Sequence, residues 1–253
     1  MNALTLFLTE TLLISIAIVL LHRFKDYFGI GLLLIFLGSV QFIQTILTTT
    51  VYNEIFKDIV ISPGSAVLYT STLCCILLIF HTEGVTKTRT AIFGLLFSNV
   101  LLAFLSAITV RQLGIDSHSL QTDSLKEIFS FDVTLFLVGA ILMFIDFFVL
   151  IIIYQFVNFK LSKIPSFFKI YLPLSSVALF DSVVFYSINF ISLDNEANLL
   201  NSNIIAKQIA VLIFSLIIYM YLRYSKLENV KEMPQSFNAV ASIFSFYEEK
   251  NKS

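Results

Sequence analysis

Seven stretches of the chain are apolar for about the twenty residues that a bilayer crossing needs. They run Leu4–Leu21, Phe28–Leu47, from Ser62-Pro63-Gly64-Ser65 to Phe80, Ala91–Val110, Val133–Val157, Phe168–Ile191 and Ile204–Leu222. Glu10 stands near the outer end of the first, and five others carry polar residues further in: Gln41 and Gln44 in the second, Asn99 in the fourth, Asp146 in the fifth, Asp181 in the sixth, Lys207 and Gln208 near the start of the seventh. Ser62 as N-cap with Pro63 at the first helical position marks the start of the third span. Pro173 stands near the start of the sixth, where it is able to kink the helix. The pattern predicts an all-α, polytopic membrane bundle of seven transmembrane helices over residues 1–222, followed by a cytoplasmic tail over 223–253.

Depth gives these polar residues meaning. A carboxylate at mid-bilayer costs about 3 kcal/mol on insertion scales, so such a group faces a protein interior or a wet cavity. On the sixth span Ser175, Ser182, Tyr186 and Asn189 fall within about 140° of Asp181 at 100° per residue. Ser62, Ser65, Tyr69 and Thr72 form a second stripe; Gln41, Gln44 and Thr48 form a third. The reading is a polar cavity walled by several helices. Duller alternatives stand beside it. Ser, Thr and Gln on membrane helices often bond a neighbouring helix, worth about 0.6 kcal/mol. Lys207, set about 6 Å inside its expected helix start at 1.5 Å per residue, is able to snorkel. Asp146 and Asp181 are too deep for that.

Composition agrees. Only 13% of the 253 residues are charged, against about 25% in soluble domains, and mean hydropathy is +0.89. Seven spans put the termini on opposite sides. Twelve of the sixteen Lys and Arg residues then share one side: Arg23, Lys25, Lys87, Arg89, Lys160, Lys163, Lys169, Arg223, Lys226, Lys231, Lys250 and Lys252. Lys57, Arg111, Lys126 and Lys207 fall on the other. The positive-inside rule places the N-terminus outside and the C-terminus in the cytoplasm, in the inner (plasma) membrane. A net charge of −1 makes nucleic acid an unexpected partner. The lipid bilayer and a small-molecule substrate are the expected ones; a homo-oligomer or a cytoplasmic signalling partner stays open. Before the first apolar run there is no Lys or Arg, so a cleaved signal peptide is not expected. Within Met233–Ser253, Val240, Ile243, Phe244 and Tyr247 recur at helical spacing and suggest a surface-lying amphipathic helix.

No enzyme is expected. The chain lacks HExxH, GxSxG and GxxxxGK[ST] motifs, and His22, His81 and His118 read as scattered among loops. Cys74 and Cys75 are adjacent, without metal-ligand spacing, and read as small core residues. No cofactor and no metal are expected.

Ser62–Asn99 resembles a vitamin-uptake family that includes bacterial queuosine-precursor transporters. Gly64, Tyr69-Thr70, Glu83-Gly84 and Arg89 stand where that family has a glycine, a Tyr-Pro or similar pair, an acidic-Gly pair and a loop Arg. Asp181-Ser182-Val183-Val184-Phe185 looks like its D-T-x-x-F run, and Lys207-Gln208 like the pair opening its last span. The layout is similar over Gly31–Leu222. The sequence departs from the pattern in having Leu179-Phe180 before Asp181 and Tyr-Thr for Tyr-Pro. The departures also resemble membrane modules that precede PAS, GGDEF or kinase domains, in which the bundle senses rather than carries. The resemblance implies first a secondary transporter for a small polar heteroaromatic molecule, a deazapurine or vitamin-like precursor. Its alternative is a sensory module signalling through its tail. Substrate contacts are expected from Gln41, Gln44, Tyr69, Asn99, Asp146, Asp181, Asn189 and Lys207, with Asp181 and Asp146 recognising donors or carrying a coupling proton. Glu83 and Arg89 are expected to gate the inner side or fix the turn.

Overall fold

The computed structural model of the protein describes residues 2–56, 59–115, 128–129, 133–161, 163–189 and 196–225. Among these, seven helices are long and apolar enough to cross a membrane. They are α1 (Ala3–Arg23), α3 (Gly31–Thr50), the third span (Gly64–Glu83), α5 (Val85–Ile115), α6 (Val133–Lys160), α7 (Ser166–Asn189) and α8 (Glu196–Tyr224). A single turn, α2 (Lys25–Phe28), leads from α1 to α3. The amphipathic stretch expected within Met233–Ser253, His118 and most of the loop between α5 and α6 lie outside the described residues.

The bundle is organised around the third span. Of its most apolar window, 89% is buried inside the protein, whereas no other span exceeds 39%. Its second part, α4 (Tyr69–Glu83), has an unbroken buried run from Tyr69 to Phe80. A helix apolar on all sides and carrying small residues fits a position surrounded by other helices. Cys74 and Cys75 are both fully buried and free, as core residues. The other helices present one apolar face to this core and another, including Leu13, Ile35, Phe97, Phe104 and Phe156, to the outside. Such exposed apolar surface is what lipid covers.

The third span does not begin as an ordinary α-helix. Gly64–Leu68 form a π-helical turn, a local widening that recurs at functional sites. Ser62 does not cap it with its side chain, contrary to the sequence expectation; its hydroxyl donates to the carbonyl of Leu47 at 2.8 Å and ties the turn to α3. Gly64 packs against that same helix so closely that a Cβ there would stand 2.5 Å from Thr48 N and 2.6 Å from the Gln44 carbonyl oxygen. Between α3 and this turn lies an antiparallel hairpin, β1 (Asn53–Phe56) with β2 (Ile59–Ile61), which the hydrophobic pattern did not announce. It covers the end of the bundle where α8 begins, with Ile55 and Ile59 against the core and Ile61 within it.

At the opposite end Gly84, at φ 78°, makes the reversal from α4 into α5, a backbone setting that L side chains rarely adopt. His22 and His81 belong to this end and to helices, not to loops as the sequence suggested. His22 closes α1, fully buried between the Tyr221 hydroxyl at 2.8 Å and Thr82 Oγ1 at 2.9 Å. His81 lies in the last turn of α4 against Tyr154. Both were misread because an apolar run loses hydropathy at its last turn before the helix itself stops.

Candidate functional site

The hairpin end of the bundle holds a cavity of about 120 Å³. Each helix contributes the residues that its own pattern keeps from lipid. From α3 come Gln41, Gln44 and Thr48; from the third span, Ser65 and Tyr69, with Ser62 just before it; from α5, Asn99. Asp181 and Tyr186 come from α7, and Asn203 and Lys207 from α8. The expected stripes on the second and third spans therefore converge, except that Thr72 turns back to the Leu68 carbonyl at 3.1 Å. Phe136, Met143 and Phe185 supply the apolar part of the wall. Tyr52, half-exposed, stands at the rim.

The floor is a cluster of ionisable side chains. Lys207 Nζ donates to Asp181 Oδ2 in a buried ion pair. The same ammonium lies over the ring of Tyr69, 4.4 Å from its centroid, a favourable place for a cation against an aromatic face. The Tyr69 hydroxyl donates in turn to Asp146 Oδ2 at 2.8 Å. Asp146 is fully buried behind the cavity wall, on α6. The two acidic residues are thus joined through Lys207 and Tyr69, and neither faces lipid.

Lys207 does not snorkel. Its helix starts at Glu196 rather than near Ile204, which sets Lys207 about 16 Å along the axis at 1.5 Å per residue. It is 3% exposed. One turn earlier sits Asn203, just outside the span Ile204–Leu222 that the apolar pattern predicts. Its Nδ2 lies 3.2 Å from the Tyr186 hydroxyl and 3.3 Å from Ser65 Oγ, and its Oδ1 accepts from Ser182 at 3.2 Å. Asn203 and Lys207 are four residues apart and share a helix face; that spacing was the available signal. Gln208, the other half of the Lys-Gln pair, clamps α8 to α7 by accepting from Ser175 Oγ at 2.6 Å and donating to its carbonyl at 3.2 Å.

Several buried oxygens around this site have no hydrogen-bond partner. They are Gln41 Oε1, Gln44 Oε1, Asn99 Oδ1 and Asp146 Oδ1. Leaving a buried acceptor unpaired costs about 1–3 kcal/mol each, so four of them together are an unusual expense. Three belong to side chains that line the cavity. A ligand carrying N–H or O–H donors would satisfy them.

The remaining expected residues lie elsewhere. Glu83 is ion-paired with Lys25 at 2.6 Å, tying α4 to α2 at the far end of the bundle. Arg89 stands in the second turn of α5, half-buried. Asn189 is the last residue of α7, and its side chain lies outside the described ones. This far end has its own polar vestibule, about 790 Å³, around His22, His81, Arg23, Lys25 and Tyr221. Between the two ends the core is apolar: Leu73, Ile76, Phe147, Leu150, Val211 and Phe214 are each 0–2% exposed. Among the described residues no group of three or more His, Cys, Asp or Glu could hold a metal ion.

A family model described as vitamin uptake-like sensor matches residues 15–222. No curated protein and no solved structure matches.

Proposed function

We propose that this chain, which belongs to the vitamin uptake-like sensor family, is a membrane-embedded receptor for a small polar heteroaromatic molecule and reports occupancy through α8. The observation that carries the reading is the cavity itself. Buried side-chain oxygens without partners converge on it, beside aromatic rings and a Lys–Asp pair. Ligand sites combine an apolar wall with a few converging polar groups in this way. At about 120 Å³ the cavity is smaller than the apolar one of about 150 Å³ that holds benzene, which limits the part of a ligand it encloses to one ring at most. Queuosine-precursor and vitamin-like compounds are the chemical neighbourhood to search first.

The site reaches the other end of the bundle through one helix. Asn203 and Lys207 grip the cavity from α8, and Tyr221, near the end of that helix, bonds His22 on α1. A ligand that loosens or tightens the Lys207–Asp181 pair would shift α8 against α1 and so move residues 223–253. With twelve of sixteen basic residues on the tail side, we place that segment in the cytoplasm and the cavity mouth outside a bacterial inner membrane.

A carrier is the second reading. The polar vestibule at the tail end favours it, because an alternating-access protein needs a polar exit opposite its binding site. The apolar layer between the two ends favours the receptor. Flux separates them. Purified protein in sealed vesicles should bind labelled ligand in a fixed ratio to protein, with no accumulation beyond it. Uptake that continues past that ratio and collapses in Asp181→Asn would make the protein a carrier.

A further inference from the structure

The receptor reading leaves the charge of the ligand open, and the floor of the cavity constrains it. Three ionisable side chains meet there with little solvent: Lys207 is 3% exposed, Asp181 8% and Asp146 0%. Fully ionised, one base faces two acids, which leaves a single negative charge without a counterion. Burying an uncompensated charge is strongly unfavourable. Among the described residues no other basic side chain lines the cavity. The titratable groups that face the cluster are Tyr69 on α4, Tyr186 on α7 and, at the rim, Tyr52; α3 and α5 bring no titratable side chain, only the amides of Gln41, Gln44 and Asn99 and the hydroxyls of Thr45, Thr48 and Thr49.

The uncharged part of the wall has the same bias. Gln41 Oε1, Gln44 Oε1 and Asn99 Oδ1 are acceptors, and Asp146 Oδ1 is a fourth behind them. The charge of Lys207 is already compensated by Asp181, and its ammonium lies over the Tyr69 ring, so the cluster offers an anion no unpaired positive charge. An acceptor-rich wall, one surplus carboxylate and aromatic side chains together describe a receptor for a flat, donor-bearing cation. A bare metal ion would use the oxygens and waste the rings.

We infer that the ligand of this cavity is an organic monocation of single-ring size, an amidinium or amino-heteroaromatic cation, which completes the charge balance of Lys207, Asp181 and Asp146. Binding changes no covalent bond. This inference rests on the receptor reading, and adds the charge of what is received.

Benzamidine and benzamide test it on the full chain in detergent. They share shape and size, but only benzamidine is a cation at neutral pH. Benzamidine should bind at least about tenfold more tightly. In Asp146→Asn the preference for benzamidine should vanish. Equal affinities, binding of neither compound, or stabilisation by sodium chloride without a benzamidine effect would each overturn the inference. The wild-type comparison stands even where the variant does not fold. If nucleobases or vitamin precursors bind while benzamidine does not outrank benzamide, the charge assignment falls and the receptor survives. If nothing binds, both fall.

Discussion

Lys207→Met should destabilise the bundle by about 3–5 kcal/mol, the usual consequence of deleting one partner from a buried ion pair. The residue supports three groups at once. Its ammonium donates to Asp181, lies 4.4 Å from the Tyr69 ring centroid and, through Tyr69, holds the donor to Asp146 in place. Methionine keeps much of the side-chain length, so packing changes little and the loss is mainly electrostatic. What remains is a buried Asp181 with no cation beside it. The second half of the prediction separates charge from shape: Lys207→Met with Asp181→Leu should recover most of the loss, because a buried pair replaced by apolar residues is often neutral or better. Unfolding of the purified protein in detergent reads both. A single variant as stable as the wild type would mean that Lys207 reaches water and that the pair is not buried.

Gly64→Ala should cost about 1–3 kcal/mol or more, a large effect for one added methyl group. A Cβ at this position would fall 2.5 Å from both the backbone nitrogen and the hydroxyl oxygen of Thr48, and 2.6 Å from the Gln44 carbonyl oxygen. Two of these three are backbone atoms of α3, which cannot rotate aside. The π-helical turn and α3 must separate, and Gln44 and Thr48 leave the cavity wall with them. Stability and ligand binding should therefore fall together. Gly94→Ala is the control. Nothing lies within 4 Å of a Cβ there, and the site faces outward on α5. It should be neutral or slightly stabilising, since glycine is about 1 kcal/mol worse than alanine within a helix. Equal stability of both variants would show that the crossing of α3 and the third span is looser than described.

The spans were readable in the chain because a bilayer imposes a length, and twenty apolar residues satisfy it with little else to read. The inward turn of Gln41, Gln44, Tyr69, Asn99, Asp146 and Asp181 was readable for a related reason: polar groups at depth have few places to go. Pairing was not. Spacing along the chain put Lys207 near a membrane surface, because the polar residues from Glu196 to Asn203 hid about two turns of helix behind an apparent loop. Asn203 was lost with them. The hairpin over Asn53–Ile61 is too short to impose a period, and the closeness of Gly64 to α3 is a distance between two helices that neither records by itself. Nor did hydropathy single out the central helix. Gly64–Glu83 has mean hydropathy 1.7, against 3.0 for Phe136–Lys160, yet it is the most enclosed. Small residues, Gly64, Ser65, Ala66, Ser71, Cys74 and Cys75, admit neighbours on every side, and close approach rather than apolarity decides which helix goes to the middle.

The central claim is that the unpartnered oxygens of Gln44 and Asn99 await a ligand. The measurement that addresses it is the ligand-induced rise in melting temperature, read across nucleobases and vitamin precursors for the wild type and for Gln44→Leu with Asn99→Leu. Binding stabilises the folded state by mass action, so a hit of known concentration gives a predictable shift. The double variant should melt no lower than the wild type, because it removes two unsatisfied buried acceptors, and it should lose the shift. An undiminished shift in the double variant, or no shift in the wild type with any compound, would contradict the account.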